Sequence, residues 1–498
     1  MGFSGITRSS YMDYKWVVLT VTTVGIFMAT LDASILIVGL PTVISDLNTN
    51  IVVGIWIITI YRLAITVLLV TIGRVADLFG RVRLYTWGFA VFTVGSLLSG
   101  LSPTAEFLLA FRLIQGTGAA LLFVNGVAIV TDAFAGTGQL GKGIGLNQVA
   151  INAGTITGYT LSGILIVTPI IGWRSIFLVN VPVGIFGTYW ARKRLREISA
   201  PATKEHFDIP GAVTFSGAIT SLLLGLTTGG LDSPSTILFL LTSLVLTIVF
   251  LSIERRTKSP ILDLSLFKNR IFTTGNLSNL FSGLAFSSLA FVLTLYFQLV
   301  RGYSAYTAGL ALIPLEATLL LVGPTSGSLS DKYGARGLST LGLSIASIGF
   351  ILMSGLGIDT PYTQVAIWLS LVGFGIGLFR SPNASSVMGA VPPSRRGISS
   401  GIRVLVINTS IVGSIPFATA MMTIVIPYSR LISITSNGSL AAISDKILLL
   451  NGLKVALVAF AAVNLIGAGI SALRGPREVT QTREFTEPPT VEAAVHEG

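Results

Sequence analysis

The chain reads as an all-α membrane protein of 14 transmembrane helices in a 6+2+6 arrangement, with pseudo-two-fold related halves flanking a two-helix insert. Three observations predict it. Hydrophobic residues make up 52% of the 498 and charged residues 11%, against about a quarter charged in an ordinary soluble domain. Apolar runs of roughly 17 to 28 residues, enough to cross a bilayer, fall near 16–40, 52–72, 86–102, 105–130, 144–168, 175–191, 210–229, 234–253, 272–298, 305–328, 337–357, 362–389, 398–427 and 450–473. Finally, Gly73, Asp77, Gly80 and Arg81 return as Gly327, Asp331, Gly334 and Arg336, with the two glycines and the acid shifted by 254 residues (327 minus 73, for instance). A duplicated helical bundle is how secondary transporters are built.

The first run, from Lys15 to Leu40, is too long for a signal-peptide core and lacks a small-residue cleavage site, so it reads as a retained span. Lys and Arg concentrate in alternate loops, led by 192–196 and 255–258. By the positive-inside rule this puts both termini in the cytoplasm of a multi-pass cell-membrane protein. Those two basic loops bracket spans 7 and 8, which the repeat does not need. The division is therefore 1–198 for the first six-helix bundle, 199–265 for the insert, 266–476 for the second bundle and 477–498 for a polar, disordered tail. The net charge of +11 is a matter of topology, with no basic cluster on a soluble domain for nucleic acid. No cysteine is present, and the two histidines, His206 and His496, lie in polar segments, so thiolate and histidine metal sites are excluded. Gly136–Gly143 approaches a P-loop, but Gly143 stands where Ser or Thr must hold magnesium and the loop joins two spans. The chain is expected to be no enzyme and to need no cofactor beyond a proton gradient.

Four ordered motifs narrow the class. Leu31, Asp32, Ser34, Ile35, Leu40 and Pro41 lie in span 1; Arg112, Gln115, Gly116 and Gly118 in span 4; Gly172, Trp173, Arg174, Phe177, Asn180 and Pro182 follow span 5. Together with the Gly/Asp/Gly turns, these resemble the major facilitator superfamily, specifically its fourteen-span drug:proton antiporter branch of multidrug efflux type. The span-5 antiporter motif is matched at Gly154, Gly158 and Gly163, but Tyr159 stands in place of its proline and Ser162 in place of a glycine. The resemblance implies that Asp77 latches the cytoplasmic side against the start of span 13 near Gly397, with Arg81 adding a contact between loops. It also implies that Arg112 sits near Asp32.

Asp32 and Glu316 are the carboxylates deep within spans. A buried carboxylate without a strong cation partner exchanges its proton near physiological pH, as coupling to a proton gradient requires. The competing reading of either acid is a permanently ion-paired structural group. Arg62, which the 254-residue shift places opposite Glu316, lies about 15 Å of helix from water on each side and needs Asp32, Glu316 or a substrate as its anion. Asp32, Glu316, Arg112 and Arg62 are the expected proton-coupling set. Trp56, Tyr61, Phe281, Asn276, Asn279, Gln298, Arg380 and Arg403 are expected to line a substrate cavity. The implied function is proton-driven export of small amphipathic or lipophilic compounds by a monomer in lipid. The competing readings are an exporter of an anionic metabolite, suggested by the arginine excess, and a channel or sensor on the same scaffold.

Overall fold

The structure is a computed structural model; it describes residues 8–475 except 135–136, 138, 168–170, 198–207, 231, 258–259, 393–394 and 436–441. The side chains of 8–13, 70, 74, 77, 140–141, 331 and 396–397 also lie outside the described residues. So do His206, His496 and the expected tail.

The first half comprises α1 (Arg8–Asp46), α2 (Ile51–Phe79), α3 (Arg81–Gly100), α4 (Ala105–Phe134), α5 (Leu140–Ile166), a short α6 (Ser175–Leu178) and α7 (Asn180–Arg194). The insert is α8 (Ile209–Thr227) and α9 (Pro234–Glu254). In the second half follow α10 (Arg270–Ser287), α11 (Leu289–Leu295), α12 (Ala305–Ala311), α13 (Ile313–Tyr333), α14 (Ala335–Met353), α15 (Tyr362–Gly389), α16 (Arg396–Met422), a short α17 (Tyr428–Thr435) and α18 (Ile443–Ala472). Local sequence sets many of the starts. Asn50, Asp208, Asn269 and Ser304 each accept a backbone N–H of the first turn, and Pro210 and Pro234 occupy the first positions of α8 and α9.

Twelve helices among the described residues are long and apolar enough to cross a membrane, rather than the fourteen expected. The spans expected over 86–102 and 175–191 coincide with α3 and with α6 and α7. Although α3 has 20 residues, Arg81 and Arg83 in its first turn, with its Gly, Ser and Thr, dilute its apolarity. A break at Gly172–Leu178 leaves α7 with 15 residues, short of the ~20 a straight crossing needs.

The duplication is visible in the backbone. Gly80 and Gly334, the second glycines of the repeated turn, both adopt positive φ, 97° and 82°. Each ends a helix by donating its N–H to the carbonyl four residues back, Ala76 and Ser330, at 2.9 Å. The same shift relates Gly88 and Gly95 of α3, packed against α4, to Gly342 and Gly349 of α14, packed against α15. A Cβ at any of the four would press into the facing helix.

The halves meet at the end remote from the termini. There Gly163 of α5 abuts the Tyr306 backbone, and Gly309 of α12 abuts the Tyr159 carbonyl. Gln298 donates to the Val38 carbonyl at 2.7 Å, tying α1 to the second half. Toward the termini the arrangement loosens. Over Lys142–Val149 of α5 only Gly143 and Asn147 are buried, and Arg380 of α15 is exposed. The halves are closed at the far end and parted at the near end. On one flank α8 closes the seam between them, burying Ile219 and Leu223 against Leu63 of α2 and Val412 of α16.

Candidate functional site

The first constellation surrounds Asp32, in the middle of α1. Its Oδ2 accepts from Arg112 Nη1 at 2.5 Å, and its Oδ1 accepts from Gln115 Nε2 at 2.8 Å and from Asn180 Nδ2 at 2.9 Å. Arg112 Nη1 also reaches Gln115 Oε1 at 2.6 Å, and Gln115 Nε2 reaches Ser96 Oγ at 2.7 Å. The Arg112 guanidinium lies 4.2 Å from the Tyr61 ring centroid, while Tyr61 donates its hydroxyl to the Ala29 carbonyl. Both charged side chains are completely buried. Arg112 and Gln115, three residues apart, share one face of α4, which is why a single carboxylate receives both. Asn180 belongs to the motif that follows span 5, and its place at the start of α7 brings it to Asp32. A pair desolvated this fully holds only because nearly every polar atom is satisfied, though Arg112 Nη2 has no partner.

The span-5 glycines explain how this network connects to the far-end closure. Gly154 presses against α1 at Phe27 and Leu31, and Gly158 at Leu31 and Ile35, so the two glycines bracket the turn that carries Asp32. The next residue, Tyr159, and Gly163 just over a turn on meet α12. Thus α5 touches the helix of the buried acid and the opposite half within ten residues.

A second constellation lies at the centre. Glu316, in the first turn of α13, is 6% exposed; among the described residues it has no hydrogen bond or ion pair, and the charged group within its electrostatic reach is Arg380. Arg380 stacks on Phe286 of α10, 4.6 Å from the ring centroid. Tyr159 is within electrostatic reach of both Glu316 and Arg62. Arg62, in α2, borders a small cavity between the halves together with Thr59, Ser287 and Ser414. Its guanidinium makes no ion pair among the described residues, and its electrostatic neighbours are Tyr61, Tyr159, Arg112 and Asp32 rather than Glu316. The Arg62–Glu316 pairing considered from the repeat is therefore absent in this conformation: Glu316 has Arg380 of its own half as its charged neighbour, and Arg62 has Arg112 and Asp32 of its own.

The remaining sequence-chosen residues separate. Trp56 turns to the insert, donating from Nε1 to Thr227 Oγ1 at 3.0 Å, and Thr227 accepts Tyr428 on its carbonyl. Gln298 belongs to the far-end closure. Asn276 is buried and donates to the Phe272 carbonyl of its own helix; Asn279 is half-buried. Arg403 is half-buried, with Nε lacking a partner. Arg81 is paired with Asp132 through two contacts of 2.9 and 2.8 Å, joining the start of α3 to the end of α4. Gly73 faces α4 at Val124 and Gly327 faces α15 at Ser381, while Arg336 is exposed at the start of α14. The side chains of Asp77 and Asp331 lie outside the described residues. A buried group that the sequence reading missed is Arg474, just past α18. It donates to Asn383, which holds the Gly275 carbonyl at 3.1 Å, and burial lowers its pKa to about 10.

Residues 22–415 match the family described as Major Facilitator Superfamily. The chain belongs to that superfamily. It is accordingly a multi-pass membrane protein and a secondary transporter of small molecules, not an enzyme. It is 34% identical over 400 residues to "Riboflavin transporter RibZ" of Clostridioides difficile (strain 630), covering 80% of this chain and 86% of that one. With "Multidrug resistance protein Stp" of Mycobacterium tuberculosis (strain CDC 1551 / Oshkosh) it shares 33% identity over 391 residues, 77% of this chain and 71% of the relative. Its fold is similar to that of a bacterial homolog of the human lysosomal transporter Spinster, solved inward-facing and unoccupied. There the TM-score is 0.65 at 16% identity, over 93% of this superfamily member and 97% of that chain.

Proposed function

We propose that this transporter is a proton-coupled exporter of small amphipathic or lipophilic compounds, with 14 helices as 6+2+6 and both termini cytoplasmic. Its two halves rock about the central cavity, and the parted near end is the cytoplasmic one. The turns carrying Asp77 and Asp331 bias which side is shut. In this reading α3 and α7 complete the six spans of the first half; apolar Trp87, Val94, Ile185 and Phe186 stand exposed on their outer faces.

The observation that carries the reading is the buried Asp32–Arg112–Gln115–Asn180 network on a helix that also makes the far-end contact. Val38, held by Gln298, is six residues from Asp32, about 9 Å along α1. A proton on Asp32 removes the charge Arg112 is paired with, so the network must rearrange. Rearrangement moves α1, and α1 is part of the closure. Several relatives with multidrug resistance or export names, Stp among them, agree with export. The departure at Tyr159 removes the proline of the antiporter motif but keeps the three glycines that meet α1 and α12.

The test is pH-gradient-driven accumulation in everted vesicles, using a panel of cationic, neutral and anionic fluorescent compounds. At least one should accumulate and be released by a protonophore. Asp32→Asn should abolish that accumulation, with Asp32→Glu retaining part of it. Wild-type rates in a well-expressed Asp32→Asn protein would remove Asp32 from the coupling.

A further inference from the structure

One residue of the two-helix insert is hydrogen-bonded to both halves. Thr227, the last residue of α8, is 1% exposed. Its hydroxyl accepts from Trp56 Nε1 of α2 at 3.0 Å while donating to the Leu223 carbonyl one turn back at 2.7 Å. Its own carbonyl accepts the Tyr428 hydroxyl at 2.7 Å. A carbonyl in the last turn of a helix has no acceptor role left within that helix, so it is free to take a donor from outside. Trp56 belongs to the first half, and Tyr428 opens α17, which follows α16 of the second.

The packing around Thr227 joins the same three elements. Ile219 and Leu223 of α8 are buried against Leu63 of α2 and Val412 of α16, with Trp56 packed on that cluster. From the other side α17 sends Leu431 and Ile434 into the core that holds Ile51 and Ile55 of α2. Apolar contacts of this kind are non-directional and survive some sliding. Hydrogen bonds of 3.0 and 2.7 Å do not, because they weaken steeply with distance and angle. If the halves part here, α2 and α17 move apart, and two bonds that end on one residue of a third element cannot both persist.

We infer that Thr227 is a brace: the insert holds the far end shut by tying Trp56 of one half to Tyr428 of the other, and so sets how often the protein opens on that side. The bond that breaks on opening marks the half from which α8 separates. The other bond keeps α8 on its remaining half. The inference rests on the transport reading only in taking the two halves to rock.

The experiment uses the full chain in nanodiscs, with no gradient and no substrate. Two single-cysteine reporters are read by the rate of maleimide labelling: Ala308→Cys, fully buried in the far-end closure, and Gln148→Cys on the exposed stretch of α5. Into each go Trp56→Phe, Tyr428→Phe and, as a control, Ser243→Ala, which removes a 2.8 Å bond to the Ala218 carbonyl inside the insert. Trp56→Phe or Tyr428→Phe, whichever removes the bond broken on opening, should raise labelling of Ala308→Cys about fivefold. Labelling of Gln148→Cys should not rise, because opening the far end closes the near one. Thr227→Val, close in shape and still offering its carbonyl to Tyr428, should reproduce Trp56→Phe. Unchanged Ala308→Cys labelling in both phenylalanine variants would overturn the brace. So would a rise at both reporters, or an equal rise in Ser243→Ala, since either means a loosened fold. The expected pattern in a protein that shows no gradient-driven transport would uphold the brace and overturn the coupling alone.

Discussion

Asp32 shows how much one side chain's surroundings decide. Of the two readings open from sequence, the structure displays the paired one: the acid is buried against Arg112 and fixed by two amides. That changes the expected cost of neutralising it. Asp32→Asn leaves the fully buried Arg112 without its counter-charge, a loss of about 3 to 5 kcal/mol, so the variant is less stable as well as uncoupled. Arg112→Gln should cost a similar amount. The double variant Asp32→Asn/Arg112→Gln should be more stable than the sum of its parents' losses predicts, because no charge is left alone. Unfolding midpoints of the purified proteins decide this, and strictly additive losses would mean the pair is not energetically coupled. Arg62 gives the opposite lesson. Its depth and the 254-residue shift suggest Glu316 as its partner, yet Glu316 faces Arg380. Rescue of Glu316→Gln is accordingly expected from Arg380→Gln, and Arg62→Gln/Glu316→Gln should be additive in the same measurement.

Among the elements, α5 has the widest reach. Its glycines at 154 and 158 set it against α1, and Gly163 with the Tyr159 carbonyl sets it against α12. Van der Waals contact between backbones is the adhesive where lipid and protein interior are equally apolar. A side chain at Gly309 would strike the Tyr159 carbonyl, so Gly309→Leu should hold the far end open. Transport should fall at least about tenfold, while the protein should fold, since the crossing lies between the halves and not within one. Wild-type transport by this variant would show that the α5–α12 crossing is not part of the cycle. Gly154, Gly158 and Gly163 were legible as a motif, and their small size was enough to predict close approach. Which helix each one approaches was not legible, because a three- or four-residue spacing fixes a face of α5 and not the neighbour that covers it.

At the scale of the whole molecule, the halves are closed at one end and parted at the other, and the insert covers one flank of the seam. The absence of cysteine allows a direct check. Single-cysteine variants Gln148→Cys, on the exposed stretch of α5, and Ala308→Cys, fully buried in the far-end closure, should differ in reaction with a membrane-impermeant maleimide. In everted vesicles the first should label and the second stay protected; equal labelling of both would contradict a parted near end. Labelling of Gln148→Cys from intact cells instead would reverse the orientation read from the basic loops.

Composition, the apolar runs and the shifted Gly/Asp/Gly turn were enough to point to a helical membrane transporter of the major facilitator fold. Each of these is a local or periodic property: a run length is matched to bilayer thickness, and a glycine at a turn is matched to positive φ. The shared packing of α3 on α4 and α14 on α15, through Gly88 and Gly95 and their counterparts Gly342 and Gly349, came to light only in the structure. Which charges meet was decided by tertiary structure alone. Arg112 reaches Asp32 across 80 residues and Arg380 approaches Glu316 across the second bundle, while Arg62 is left to the cavity. These outcomes depend on helix rotation and tilt, which several packed neighbours set jointly and no single segment's sequence contains.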